Sequence, residues 1–360
     1  MENHSLNPLG ELRSPLSRTE FIPLPFLRIG IGIGFGVVLF AVVIVAIFGE
    51  PANRPALAAG SPAESGVEPL KTFAGIPPVA YLVQRIGGPY VHVEVLVPAG
   101  QDPHIFEPTP RQVIRLSQAQ LFFRVGMPFE DRLIEHVAKG SANFTLVDTA
   151  AGIAARASSC VCEAAHCGHG HDPKDDGKDD GKDDGEDDGK DEDEVQVDPH
   201  VWLSPPLLKT MAANVAKALC QADPRHEQVY QANLKTLLAE LVALDYRIAQ
   251  SLSPYRGQAF YVFHPAFGYF ADTYGLRQES VEVEGKPPTP RQIFDLINKA
   301  RNDHVKIIFL QPQFNQQIAA SIAQAIGGAV MPMDSTGYNV MANLEDVAQK
   351  IAASNREKTE

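Results

Sequence analysis

Three histidines of the chain lie in separate short motifs whose residue types suit the binding of a metal ion. His104 lies in GQDPHIFEPTP, His200 lies in DPHVWLSP, and His264 lies in YVFHPAFGYFADTYGL. A fourth candidate ligand, Asp334, lies in MPMDSTGYNVMANL. Three imidazoles and one carboxylate form a ligand set that suits a tetrahedral zinc ion. Because the four residues are spread over about 230 positions of the chain, only the fold can bring them together.

Three of these four candidate ligands follow the ends of predicted strands. Apolar runs typical of strands cover 91–97, 259–263 and 329–333. The candidates that follow these runs, directly or after a short loop, are His104, His264 and Asp334. In open α/β sheets, ligands bind beyond the carboxyl ends of the strands, so this placement supports one shared site independently of the motifs. His200 differs, because it lies just before a helix that is predicted to begin at Pro205.

Strand and helix patterns alternate along most of the chain, which predicts an α/β fold. Further strands are predicted at 121–125, 144–147 and 305–310. Helices are predicted at 77–86, 110–118, 129–138, 205–219, 265–274, 290–301, 315–326 and 344–353. A longer helix is predicted over 224–251, where an apolar stripe that includes Leu237 and Leu241 continues without an internal Pro or Gly. This order of elements is typical of parallel sheets that are flanked by helices.

Taken in this order, the motifs resemble those of the metal-specific periplasmic solute-binding proteins of ABC transporters, in particular the zinc-binding, ZnuA/TroA-like branch. The segments that carry the resemblance are DPH followed by EPTP, the second DPH followed by VWLSP, and HPAFGYFADTYGL. The resemblance extends from about Glu68 to about Ala353. It implies two lobes, each a parallel sheet flanked by helices. One long helix would join the lobes, and the metal site would lie in the cleft between them.

The same resemblance implies a carrier rather than an enzyme, with no catalytic residues. Such a carrier captures extracytoplasmic Zn²⁺ as its cargo and delivers it to a membrane permease that works with a cytoplasmic ATPase. Family members that bind manganese place a carboxylate at the third ligand position, whereas this chain has His264 there, which favours zinc. Two alternatives stay open: a tethered zinc buffer or adhesin without a transporter, and a zinc hydrolase that holds its ion with three histidines. The HExxH signature of many zinc hydrolases is absent from the sequence.

Other residues near the motifs offer supporting roles that the sequence leaves open. Asp102 and Asp198 each precede a candidate histidine by two residues, and they either orient its imidazole or turn the chain. Asp334 is either the fourth ligand or a turn former, in which case water completes the site. An exported domain permits disulfides. The candidate cysteines are Cys220 and, as its partner, Cys160 or Cys162.

An acidic insert, 160–198, interrupts the alternating pattern and carries most of the net charge of −13. Its core repeats KDDG, a sequence that repels itself and cannot bury enough apolar surface to fold, which predicts a disordered surface loop. The rest of the chain is nearly neutral and has no basic stripe, which excludes a nucleic-acid partner. The insert is interpreted either as a solvated loop or as an auxiliary metal-binding loop. The side chains available to an auxiliary site are Cys162, Cys167, His166, His169 and His171.

The N-terminal segment carries an export signal. Residues 29–48 contain no charge and are long enough to cross a bilayer, and three preceding arginines orient the N-terminus to the cytoplasm. The run is either a cleaved signal-peptide core or a permanent inner-membrane anchor, and both interpretations place the folded body in the periplasm or another extracytoplasmic location. We expect a monomer. The predicted organisation is a cytoplasmic segment (1–28), the apolar run (29–48), a linker (49–67), an N-terminal lobe (68–223), a linking helix (224–252) and a C-terminal lobe (253–360).

Overall fold

The computed structural model describes residues 68–137, 144–157, 197–282 and 288–356. The predicted export segment, the linker and nearly all of the acidic insert lie outside these residues. Among the helices that the structure describes, none is long and apolar enough to cross a membrane. The described residues form two parallel sheets with helices around them, which confirms the predicted fold class.

The first sheet forms the core of the N-terminal lobe. Its strands are β1 (Leu70–Ala74), β2 (Val91–Val95), β3 (Leu121–Arg124) and β4 (Thr145–Asp148), all parallel, in the order β2-β1-β3-β4. The helices of this lobe are α1 (Pro77–Gly87), α2 (Pro110–Leu116), α3 (Pro128–Val137) and α4 (Pro205–Ala222). The strand order reverses at β1, because β2 pairs with one of its edges and β3 with the other. Such a switch point opens a crevice at the carboxyl ends of the strands, where ligands bind.

The second sheet repeats this plan in the C-terminal lobe. Its strands are β5 (Ala259–Val262), β6 (Arg277–Ser280), β7 (Ile307–Leu310) and β8 (Ala329–Pro332), all parallel, in the order β6-β5-β7-β8. The helices of this lobe are α6 (Gly268–Tyr274), α7 (Pro290–Asn302), α8 (Gln316–Ala325) and α9 (Val340–Arg356). The two central strands, β5 and β7, are buried along their whole length, as is typical of parallel strands covered on both faces. The switch point lies at β5, and His264 follows this strand.

One long helix, α5 (Glu227–Leu252), joins the two lobes, as predicted. It is 26 residues long, and a 3-10 turn precedes and follows it. Its buried stripe, which includes Leu237, Leu241 and Leu244, lies on the face that packs against the lobes. The helix contacts α1 and α4 of the N-terminal lobe and α9 of the C-terminal lobe. At about 1.5 Å per residue it extends over about 39 Å, so one continuous element supports both lobes.

The sequence TPRQ occurs twice and starts one helix in each lobe. Thr109 and Thr289 are the N-caps of α2 and α7, and each hydroxyl accepts a hydrogen bond from the backbone N–H of the Gln three residues later. The Gln side chain in turn accepts from the backbone N–H of the Thr, which completes a capping box. Gln112 also donates to the carbonyl of Leu96 at 2.8 Å, which attaches the start of α2 to the end of β2. The loop that carries His104 is therefore held at both ends.

The apolar pattern does not predict β1 or β6. The first (LKTFA) is short and is interrupted by Lys71, although its other four residues are buried. The second (RQES) is a polar edge strand, held by its backbone pairing with β5 rather than by apolar side chains. Helix boundaries also differ from the prediction, since α6 begins at Gly268 rather than at 265, and α9 extends from Val340 to Arg356. An apolar pattern identifies a strand by its buried side chains, so it does not identify strands that are short or polar.

The chain just before the acidic insert contacts the last residues of the insert. Ala157 and Val197 form an antiparallel bridge. The backbone N–H of Asp198 donates to the carbonyl of Arg156 at 2.8 Å. The chain on either side of the insert is therefore joined by backbone contacts that do not involve the KDDG repeat.

We predict that deleting residues 172–194 leaves the fold and the tight metal site intact, because a charged repeat contributes nothing to a core. Shortening a loop changes its closure free energy by only about 0.6 kcal/mol per halving. The melting temperature should therefore shift by no more than about 2 °C. Titration calorimetry should show that weak additional metal binding disappears while the tight zinc site remains. A large drop in melting temperature, or loss of the tight site, would contradict this interpretation of the insert.

Candidate metal centre

The three candidate histidines meet in the cleft between the lobes. Their Nε2 atoms lie 3.1 Å apart for His104 and His264, 3.2 Å for His104 and His200, and 3.4 Å for His200 and His264. Within the described part of the chain, this is the one group of three or more His, Cys, Asp or Glu side chains whose ligand atoms lie within 4.8 Å of one another. His104 and His200 come from the N-terminal lobe, and His264 comes from the C-terminal lobe.

The spacing of the three nitrogens suits a single tetrahedral ion. At a Zn–N distance of about 2.0–2.1 Å, the nitrogens of a tetrahedral site are about 3.3–3.4 Å apart. The observed separations of 3.1, 3.2 and 3.4 Å are close to this value. A zinc ion equidistant from the three nitrogens would therefore bind with only small movements of the rings.

Local contacts hold each histidine in place. His104 lies in the loop that ends at the capping box of α2. His200 precedes a 3-10 turn, Val201–Leu203, that leads into α4. The backbone of His264 is held by Gln311, which accepts from its N–H at 3.1 Å and donates to its carbonyl at 2.7 Å. The backbone of each histidine is thus positioned by contacts within its own lobe.

Two of the three imidazoles have a carboxylate at Nδ1. His200 Nδ1 lies 2.8 Å from Asp198 Oδ1, and His264 Nδ1 lies 2.6 Å from Glu282 Oε2. Both carboxylates are buried. A carboxylate in this position keeps the proton on Nδ1 and leaves Nε2 with the lone pair that a metal needs. Both rings therefore present an electron-pair donor to the centre of the triad.

The two aspartates that precede the histidines have different contacts. Asp198 accepts hydrogen bonds from both the backbone N–H and the ring of His200. Asp102 accepts from the backbone N–H of His104 at 2.9 Å, a contact that turns the chain. Glu282 is not among the predicted residues, because it follows β6, the polar strand that the apolar pattern does not predict. Its place just beyond a strand end is the signal that could have identified it.

Burial favours the neutral forms of His104 and His200. Burial and the neighbouring imidazoles lower the pKa of His104 to about 2. Burial also lowers the pKa of His200, although the Asp198 carboxylate opposes that shift. Burial acts to raise the pKa of Asp198, but the hydrogen bonds from His200 and the charge of Arg156 outweigh it and leave that pKa lowered. At neutral pH His104 and His200 thus offer unprotonated nitrogen donors, and the negative charge of Asp198 lies behind His200, which favours a cation.

Asp334, the predicted fourth ligand, lies in the loop after β8. Its Oδ1 accepts hydrogen bonds from the backbone N–H of Thr336 at 2.8 Å and from the Thr336 hydroxyl at 3.1 Å. These are the contacts of a turn-forming aspartate. The carbonyl of the next residue, Ser335, accepts from the indole N–H of Trp202 at 2.6 Å, which attaches this loop to the N-terminal lobe two residues beyond His200. The role of Asp334 as a ligand stays a prediction.

The other candidate residues of the insert lie outside the described residues. They are Cys160, Cys162, Cys167, His166, His169 and His171. Cys220 is half-buried in α4, and Gln231 Nε2 lies 3.5 Å from its Sγ. A disulfide between Cys220 and the insert stays a prediction, as does an auxiliary metal site.

Comparison with known proteins identifies similar sequences and a similar structure. The profile of one family, described as zinc-uptake complex component A, periplasmic (ZnuA), matches residues 73–353. The high-affinity zinc uptake system protein ZnuA of Paracoccus denitrificans is 34% identical over 223 residues, which cover 61% of this chain and 68% of that protein. The protein of the same name from Bacillus subtilis is 29% identical over 241 residues, which cover 65% of this chain and 68% of that protein. A crystal structure of a zinc-bound ZnuA deletion mutant matches 80% of this chain and 98% of its own, with a TM-score of 0.68 and 34% identity.

The half-buried His104 predicts that the metal-free protein loses stability in acid. Its folded pKa lies below that of an unfolded histidine, so the unfolded chain binds more protons once the pH falls below about 6.5. The stabilisation is complete above that value and is lost progressively towards the folded pKa. At about pH 5 the free energy of unfolding should be lower by up to about 2 kcal/mol.

Replacing His104 by Gln should therefore make the free energy of unfolding less dependent on pH between about pH 7 and pH 5. Denaturant unfolding of the metal-free protein at several pH values measures this dependence. His92→Gln is the matched control, since His92 is an exposed histidine in β2. If His104→Gln and the wild type lose stability equally, the imidazole of His104 is not held in its neutral form.

Proposed function

The chain belongs to the ZnuA family of periplasmic zinc-uptake components, and we propose that it captures extracytoplasmic Zn²⁺ for delivery to an ABC-type membrane permease. Solute-binding proteins of this family are not enzymes, so the chain binds its cargo and releases it unchanged. The permease, with its cytoplasmic ATPase, is the proposed partner. The periplasm is the proposed location of the folded body, which acts there as a monomer.

The convergence of three Nε2 atoms from two lobes is the observation that carries this proposal. His104, His200 and His264 are the proposed protein ligands, and imidazole nitrogen is a preferred donor for zinc. His200 and His264 are only 5% and 6% exposed, so a bound ion is shielded from water. Asp334 is the proposed fourth ligand, and water takes that position in the alternative arrangement.

A centre that is shared between lobes makes zinc affinity depend on the position of the lobes. Two of the proposed ligands move with the N-terminal lobe and one, His264, moves with the C-terminal lobe. Separation of the lobes removes a ligand from the ion and lowers its affinity. Delivery to a permease requires a state of low affinity, and a partner that binds the separated lobes more tightly would favour that state.

Zinc rather than manganese is the proposed cargo because all three ligands are imidazoles. Manganese prefers oxygen donors, and divalent zinc ranks above manganese at most nitrogen sites. The carboxylates of Asp198 and Glu282 contact the rings at Nδ1, so the nitrogens remain the groups that face the ion. A zinc hydrolase would also need a general base near an open water position. The family assignment disfavours that alternative.

The organisation of the rest of the chain follows from this proposal. Residues 29–48 export the protein or anchor it to the inner membrane, and 49–67 link this segment to the folded body. Residues 68–223 and 253–360 are the two lobes, and 224–252 join them. The acidic insert lies within the N-terminal lobe, and it serves either as a solvated loop or as a weak auxiliary site.

The centre should bind one zinc ion tightly, and each of the three histidines should be essential for that affinity. Replacing His104, His200 or His264 by Ala should weaken binding by about 100-fold or more, since loss of a group that only orients a ligand already costs about 10–100-fold. Titration calorimetry in competition with a chelator measures the tight component in the full-length chain. His92→Ala serves as the control. Unchanged affinity in all three variants would exclude this centre as the site.

His264→Glu should shift the metal preference from zinc towards manganese, because it replaces a nitrogen donor by oxygen. The shift need not reverse the preference, since zinc outranks manganese at most mixed sites. The quantity to compare is the ratio of the zinc and manganese dissociation constants in the variant and the wild type. If this ratio does not change, His264 is not a ligand, and the main sequence argument for zinc fails.

A further inference from the structure

Arg156 lies between a buried carboxylate of the metal centre and the C-terminal lobe. Its Nη1 is 3.2 Å from Asp198 Oδ2, and its Nε is 2.7 Å from Asp272 Oδ2 in α6. The Arg156 side chain is 21% exposed and that of Asp198 is 2% exposed, whereas that of Asp272 is 62% exposed. The pair with Asp198 is therefore shielded from solvent, and the pair with Asp272 is a surface contact between the lobes.

Both oxygens of the Asp198 carboxylate are engaged. Oδ1 accepts from the backbone N–H and the ring of His200, while Oδ2 accepts from Arg156. A carboxylate that is held at both oxygens cannot rotate without breaking one of these contacts. The direction of the bond to His200 is therefore set in part by Arg156. A continuous series of contacts runs from Asp272 through Arg156 and Asp198 to a proposed zinc ligand.

The backbone of Arg156 is also held on both sides. Its N–H donates to the hydroxyl of Tyr269 at 3.0 Å, and its carbonyl accepts from the N–H of Asp198 at 2.8 Å. Tyr269 lies in α6, so this contact also connects the two lobes. These bonds place the guanidinium where it meets both carboxylates.

Gly268, the first residue of α6, leaves room for this arrangement. A Cβ atom at position 268 would overlap the guanidinium of Arg156 and would lie 2.8 Å from Asp198 Oδ2. Any larger residue would push the Arg156–Asp198 pair out of its place. The pair is thus packed against the backbone of the C-terminal lobe rather than free in solvent.

We propose that Arg156 is a positioning residue for zinc, which fixes Asp198 behind His200 and joins that ligand to α6 of the other lobe. The inference rests on the proposed metal centre and adds a residue that lies outside the three histidine motifs. Removal of the guanidinium leaves all three imidazoles present but frees the carboxylate that orients one of them. Loss of a group that orients a ligand costs about 10–100-fold in metal affinity. Because Arg156 acts through Asp198, we expect the lower end, about 10-fold.

The test compares Arg156→Gln, Arg156→Lys and Asp272→Asn with the wild type in the full-length chain. Zinc release is started with excess chelator and followed by the fluorescence of Trp202, the single tryptophan, whose ring lies 5.2 Å from that of His200. Arg156→Gln should release zinc about 10-fold faster, in line with its loss of affinity. Arg156→Lys should recover part of the loss, because an ammonium keeps the charge but cannot bridge both carboxylates. Asp272→Asn should have a smaller effect, because it removes only the exposed contact.

Arg124→Gln is the matched control, since the Arg124 side chain is 22% exposed and pairs with Asp131 inside the N-terminal lobe. If Arg156 only stabilises the fold, both arginine variants should lower the melting temperature of the metal-free protein, and neither should change the rate of zinc release. If Arg156 acts through Asp198, Arg156→Gln should have little further effect on zinc affinity in a protein that already carries Asp198→Asn. Full additivity of these two changes would overturn the inference.

The outcomes also separate this inference from the proposed function. Tight zinc binding by the wild type, together with a release rate for Arg156→Gln within about twofold of the wild type, overturns only the role of Arg156. Absence of tight zinc binding by the wild type overturns both. Faster release in Arg156→Gln and Arg156→Lys, but not in Arg124→Gln, supports the positioning role even where the Gln variant is less stable.

Discussion

Three imidazole nitrogens from two lobes lie within 3.4 Å of one another in a buried cleft, and the rest of the structure depends on this proximity. Nitrogens this close cannot all carry protons, and burial further disfavours the charged form. The carboxylates at Nδ1 leave the Nε2 lone pairs of His200 and His264 directed to the point where His104 meets them. The negative carboxylate of Asp198 behind one ring adds attraction for a cation. Together these features produce a centre that could hold a divalent metal ion.

Elements of the fold that lie away from the three histidines help to keep their nitrogens close together. Both sheets have the same strand order, so each lobe presents a switch point where ligands bind. The helix α5 contacts both lobes with one buried apolar stripe, which limits how they move relative to each other. Gln311 holds the backbone of His264 from the neighbouring strand, and Trp202 ties the turn after His200 to the loop of Asp334. The contact of Trp202 with Ser335, which crosses between the lobes, therefore lies close to a proposed ligand.

Sequence patterns predicted those features that are local in the chain. Strand alternation and one long uninterrupted helix predicted parallel sheets flanked by helices, and the family resemblance implied the two lobes. The three histidines that meet were identified by their motifs, two of which follow predicted strands. The sequence patterns did not predict features that arise from contacts between distant segments. Glu282 follows a polar strand that is defined by backbone pairing alone. Arg156 has no motif, and its partners Asp198 and Asp272 lie 42 and 116 residues further along the chain.

X-ray absorption at the zinc edge of the full-length protein, loaded with one equivalent of zinc, would test the ligand set most directly. A centre between the lobes predicts four nitrogen or oxygen neighbours at about 2.0–2.1 Å, with the outer-shell scattering of three imidazole rings. Sulfur neighbours at about 2.3 Å would instead place the tight site at the cysteines of the insert. A shell of oxygen atoms without imidazole scattering would place it among the carboxylates of the repeat. Either of these last two results would contradict a zinc centre formed by His104, His200 and His264.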